Sequence, residues 1–159
     1  MTDRRAEIID QLENNLKDTL SFFSSLSDDQ LQAQIYADGA KWTVKQVLAH
    51  FITIERSMQK LFKNILSGGP GSPEDFDVDR FNLTQPKKID GLTLEELLEQ
   101  FKSVREDTID IVKGMTKQDF IREGRHPFHG HGKLERFIVW AYEHVDIHKD
   151  DIRKVLQIK

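Results

Sequence analysis

Six histidines are the residues of this chain best suited to metal or acid–base chemistry, and two of them, His144 and His148 in "YEHVDIH", stand four residues apart. In an α-helix that spacing stacks two side chains on one face. The apolar stripe around them runs through Leu134, Phe137, Ala141, Ile152 and Val155, so both imidazoles occupy positions where a core wants Leu or Ile. Burying neutral imidazoles there without partners costs about 1–3 kcal/mol per unpaired polar group. A divalent metal satisfies both rings at once, because imidazole nitrogen is a good ligand and the i, i+4 pair can reach one ion. A third candidate is His50 in "WTVKQVLAHFITIER", three residues after Val47 and four before Ile54, on or beside the stripe of another helix. Three histidines from two helices leave coordination positions open for water or substrate.

The stretch "GRHPFHGHG" holds the other three histidines, His126, His129 and His131, beside Arg125 and Phe128. An alternative metal cluster can be read there, but a short Gly/Pro-rich loop does not hold ligands rigidly unless the metal itself organises it. It reads better as the rim of the site, with Arg125 and His126 as substrate contacts and His129 and His131 exposed. Glu55, Glu143 and Asp146 are near enough in sequence to orient an imidazole, yet each reads first as part of a solvated helix face. Trp42, Trp140 and Tyr142 read first as packing. The chain has no cysteine, so thiolate ligands and a cysteine nucleophile are excluded, and any thiol chemistry must use a thiol that arrives with a ligand.

The elements that must position these residues are legible from caps and periodicity. An apolar residue, then Ser or Thr, then Gln, Glu or Asp three residues on, then another apolar residue occurs four times: at Ser27/Gln30, Thr43/Gln46, Thr93/Glu96 and Thr116/Asp119. Each is a capping box with a hydrophobic staple, the Asp119 instance being the weakest. Ile8, Leu12, Leu16, Leu20 and Phe23 predict a first long helix over residues 3 to 25, and Val44 to Ile65 a second over 43 to 67. A third begins at Thr93 and ends near Gly114; the fourth follows the stripe from Leu134 to Val155. The capped segments at Ser27 and Thr116 read as short connecting helices. Between the second and third long helices lies "SGGPGSPEDFDVDRFNLTQPKKIDG", with three of the four prolines and four of the nine glycines. It reads as a loop long enough to run the length of a bundle and make those two helices parallel.

The whole chain bounds the rest. Its 159 residues fit one domain, over 1–159. A net charge of −4 without a Lys/Arg stripe leaves no footprint for nucleic acid. No apolar run is long enough to span a membrane, and "MTDRRAEIID" lacks the apolar centre of a signal peptide, so a cytoplasmic location is expected.

The segments "KWTVKQVLAHFITIER" and "HPFHGHGKLERFIVWAYEHVDIH" resemble the Trp-Thr…His and His-Pro…Gly…His-x-x-x-His segments of the DinB/YfiT-like superfamily, and the resemblance extends over the whole chain. It implies an all-α four-helix bundle of up-down-down-up connectivity and makes His50, His144 and His148 the metal ligands. It also implies a homodimer and, among the family's activities, transfer reactions using bacillithiol, mycothiol or glutathione. One departure is "GHGKLE", where the last helix of the family often begins with a Thr cap. The expectation is a protein binding a divalent metal (zinc or nickel, with iron also suited). Its substrate would be a small molecule and its reaction metal-dependent transfer of a low-molecular-weight thiol. The alternatives are a metal-dependent hydrolase and a non-catalytic stress-related binding module.

Overall fold

A computed structural model describes residues 3–159; Met1 and Thr2, at the start of the expected 1–159 domain, lie outside the described residues. Four long helices carry the fold: α1 (Arg4–Ser24), α3 (Val44–Leu66), α5 (Leu94–Lys113) and α7 (Leu134–Leu156). Each begins and ends within a residue or two of the span that apolar periodicity predicts. Short helices α2 (Asp28–Gln32) and α6 (Lys117–Phe120) follow the caps at Ser27 and Thr116. Reciprocal capping boxes form at Ser27, Thr43 and Thr116. At Thr93 only half of one forms: its hydroxyl accepts from the Glu96 amide, and the Glu96 carboxylate takes the Thr93 hydroxyl proton instead of reaching the backbone. The expected weakest box, at Asp119, is thus complete.

Helix direction follows from which residues share a core. One apolar cluster joins Leu16 and Phe23 of α1, Val44 to Ile52 of α3, Leu97 to Val104 of α5, and Val145 and Ile152 of α7. The other joins Ile8 and Leu12, Ile54 to Ile65, Ile109 and Val112, and Leu134 to Ala141. So α1 and α7 run one way and α3 and α5 the other, giving up-down-down-up. Around the bundle α3 packs on α5 and α7, and α1 on the same two helices.

The segment between α3 and α5 crosses from one end of the bundle to the other, as the parallel pair requires. It is not all loop. Asp77 caps a helix, α4 (Val78–Thr84), and Pro86–Lys88 form a 3-10 turn packed on α3. The expected loop "GRHPFHGHG" likewise contains an antiparallel hairpin, β1 (Glu123–His126) with β2 (Gly130–Lys133), that runs straight into α7. The N-cap of α7 is Lys133, without a side-chain bond, so β-pairing takes the place of the Thr cap. Gly71 fastens the crossover to this hairpin, since the Arg125 amide donates to Pro70 O at 2.8 Å and the Ser72 amide to Arg125 O at 2.7 Å. Among the described residues no helix is long and apolar enough to cross a membrane.

Candidate metal centre

At the waist of the bundle, between the two apolar clusters, α3 and α7 bring three imidazoles together. His50 Nε2 lies 3.2 Å from His144 Nε2, and His148 Nε2 lies 3.0 Å from the same atom. The three donors all fall within 4.8 Å of one another. Ligand bonds of about 2.0–2.1 Å at tetrahedral angles put donors roughly 3.3 Å apart, so the spacing suits one small divalent cation.

Protonation favours the same use. Burial holds His50 well below the usual imidazole range, and the neighbouring His144 and His148 lower it further. Burial does the same to His144, helped by His148. His148 is lowered by burial as well, against the opposing pull of Asp151. Neutral imidazoles are the ligand form. Three neutral rings carry three N–H groups and three lone pairs, but Nδ1 of His50 and Nδ1 of His144 are buried without a partner among the described residues. With Nδ1 protonated on each ring, three Nε2 lone pairs converge with no proton among them, a repulsive arrangement that calls for a positive charge at its centre. A divalent cation uses them, and the donor set fits one.

Aromatic rings enclose the triad. Trp42 stacks on His50 at 4.2 Å between ring centroids, and Trp140 stacks on His144 at 4.3 Å. Both were expected as plain packing; they also fix the planes of two imidazoles. The third ring is fixed by residues that periodicity does not expose. Tyr36 Oη lies 2.6 Å from His148 Nδ1 and 2.6 Å from Asp151 Oδ2.

Of the three carboxylates expected on solvated faces, only Glu55 departs from that reading. Glu143 is exposed and pairs with Arg136, and Asp146 accepts from Asn15 and Lys149. Glu55, expected on a solvated face, is buried at 1% exposure and paired with Arg105, itself 0% exposed. Glu55 lies on the apolar face of α3, four residues after Phe51, and α5 brings a full counter-charge to it. None of the three bonds a triad imidazole.

A cavity of about 550 Å³ opens beside His148, walled by Tyr36, Lys41 and Trp42 on one side and by Asp79, Asn82 and Leu83 of α4 on the other. Its lining includes neither Arg125 nor His126. Arg125 turns to the crossover, where it pairs with Glu74. His126 is buried against Phe137 and Trp140, one ring away from His144. Its Nδ1 accepts from the Phe128 and His129 amides, and burial pushes its pKa down to about 3. It lines a separate, mostly apolar cavity of about 340 Å³ between α3, residues 71–76 and the hairpin. His129 and His131 are exposed.

The fold is similar to that of YfiT from Bacillus subtilis, described as a probable metal-dependent hydrolase with an unusual four-helix bundle topology. The two share 19% identity at a TM-score of 0.76, over 98% of this chain and 89% of that one. It is also similar to an uncharacterized protein from Clostridium difficile 630, with 12% identity and a TM-score of 0.71 over 99% of this chain and 98% of the other. Among curated proteins, none matches the sequence. The sequence pattern of the DinB superfamily matches residues 11–152, a span that takes in α3 and α5 whole, most of α1 and α7, and all three converging histidines, and the chain belongs to that superfamily.

Proposed function

We propose that the protein is a metal-dependent enzyme that holds a divalent cation with His50, His144 and His148 and transfers the thiol of a small cofactor to an electrophile. The observation that carries this reading is the convergence of three neutral imidazoles beside an open cavity of about 550 Å³, a size in the range of small-molecule sites. A purely structural metal site would be closed, with four protein ligands. With three uncharged ligands, such an ion keeps its full charge and supplies Lewis acidity that brings the pKa of an adjacent thiol or water toward neutrality. The chain's own residues do the rest. Trp42 and Trp140 keep water from two sides of the triad. Lys41 and Asn82 offer a cation and an amide to the polar parts of a ligand, and Tyr36 and Asp151 hold His148. In the transfer, a carbon–sulfur bond forms as the bond to the leaving group breaks; the leaving group departs with its electron pair and the thiol proton passes to solvent. The absence of cysteine accords with a borrowed thiol.

Hydrolysis is the second reading, favoured by the description of YfiT as a probable metal-dependent hydrolase, with water replacing the thiol at the same cavity. A chlorobimane assay of the metal-loaded protein with bacillithiol, mycothiol, glutathione and coenzyme A, run beside an ester and amide panel, separates the two. Thiol transfer that depends on His144 supports the proposal. Hydrolysis with no thiol-dependent rate transfers the case to the second reading, and inactivity in both arms leaves a metal-binding module.

A further inference from the structure

Resting on the reading of the triad as metal ligands, we propose that Tyr36 and Asp151 are positioning residues that hold His148 in the one tautomer able to bind metal through Nε2. Tyr36 Oη stands 2.6 Å from both His148 Nδ1 and Asp151 Oδ2. A tyrosine has one proton to give, and a carboxylate can only accept. The hydroxyl therefore donates to Asp151, and its oxygen accepts from His148 Nδ1–H. That leaves the lone pair of His148 on Nε2, the atom 3.0 Å from His144 Nε2. Among the described residues His50 and His144 have no such device, because the Nδ1 of each is buried without a partner. The fold thus biases one ring of the three toward the ligand tautomer.

The segment that brings Tyr36 into place is built for it. The Ile35 amide donates to Trp42 O at 2.8 Å and the Val44 amide to Ala33 O at 3.0 Å, closing a clasp between α2 and α3. Gly39 at φ 64° and Lys41 at φ 53° turn the chain back within it. Lys41 adopts this left-handed conformation without being glycine, a strain that a folded structure keeps only where its surroundings require it. The two ends of this clasp set Tyr36 on His148 and Trp42 flat on His50. A hydrogen-bond partner behind a ligating imidazole fixes ring and tautomer, and its loss typically costs 10–100-fold in metal affinity.

The test combines two readouts. Long-range proton–nitrogen spectra of the metal-free protein should show His148 protonated at Nδ1. In Tyr36→Phe the His148 signals should move toward the Nε2-protonated form, with the His50 and His144 signals and the melting temperature little changed. Zinc affinity, measured by competition with a chromophoric chelator, should fall about 10–100-fold. Asp151→Asn, which removes the charge from the acceptor and keeps the hydroxyl, should lie between the two. Wild-type zinc affinity in Tyr36→Phe, with His148 still protonated at Nδ1, would overturn the proposal. So would a variant altered only in KM for substrate, which would make Tyr36 a wall of the cavity instead. A wild-type protein that binds no zinc would overturn the metal reading, whereas the tautomer measurement on metal-free protein tests the positioning by itself.

Discussion

Replacing Glu55 with Gln should destabilise the protein by about 3–5 kcal/mol, because it leaves a buried guanidinium without its counter-charge. Arg105 is fully buried, and its Nε lies 2.9 Å and its Nη2 3.0 Å from the two carboxylate oxygens of Glu55. Its Nη1 reaches Leu12 O and Asn15 Oδ1, while Thr108 Oγ1 donates to Glu55 at 2.8 Å. One guanidinium on α5 thus joins α3 and α1 at the waist, at the level of the triad. Gln has nearly the volume of Glu, so no cavity contributes. Its single oxygen can still accept, which places the cost at the lower end, about 3 kcal/mol. With urea slopes of about 1–3 kcal/mol per M, the unfolding midpoint should fall by at least about 1 M. The control is Glu143→Gln, which breaks an exposed pair with Arg136 and should stay within about 0.5 kcal/mol of wild type. A loss under about 1 kcal/mol for Glu55→Gln would show that the waist tolerates an unpaired guanidinium and that the ionic network does not hold the helices there.

Metal-free protein should lose stability on acidification. Burial keeps His50, His144 and His126 neutral in the fold, whereas the unfolded chain protonates them below about pH 6.5, so stability is fully present above that pH and falls beneath it. Each such ring costs about 1.4 kcal/mol per pH unit, so moving from pH 7.5 to 5.5 should remove about 4 kcal/mol in urea titrations; a flat profile would refute the neutral assignment. Gly71→Ala should cost about 1–3 kcal/mol, since Gly71 sits at φ +93° and a Cβ there would lie 2.5 Å from the Arg125 amide nitrogen. The local sign would be faster hydrogen exchange at the Ser72 and Arg125 amides, and unchanged exchange would contradict it.

Apolar periodicity and side-chain caps are local signals, and they make α1, α3, α5 and α7 readable to within a residue or two. The convergence of His50 with His144 and His148 was readable for the same reason, since each sits in or beside an apolar stripe. Elements stabilised by distant partners were not. The hairpin at 123–133 forms through pairing with itself and with Pro70 to Ser72, and Gly124 lies so close to Ile65 that a Cβ would meet it at 2.6 Å. Tyr36 lies in an irregular segment with no period to betray it. Asp151 left a faint trace, three residues after His148 on the same helix. The buried pair left a clearer one: Glu55 and Arg105 each follow a core Phe by four residues, two opposite charges on two apolar stripes. That pattern carries more information than either residue alone.

His50, His144 and His148 together should hold one divalent metal ion. Elemental analysis of protein purified without a nickel column tests it most directly. Close to one zinc, nickel or iron per chain is expected in the wild type and almost none in His144→Ala. Full occupancy in a protein carrying His50→Ala, His144→Ala and His148→Ala together would contradict it.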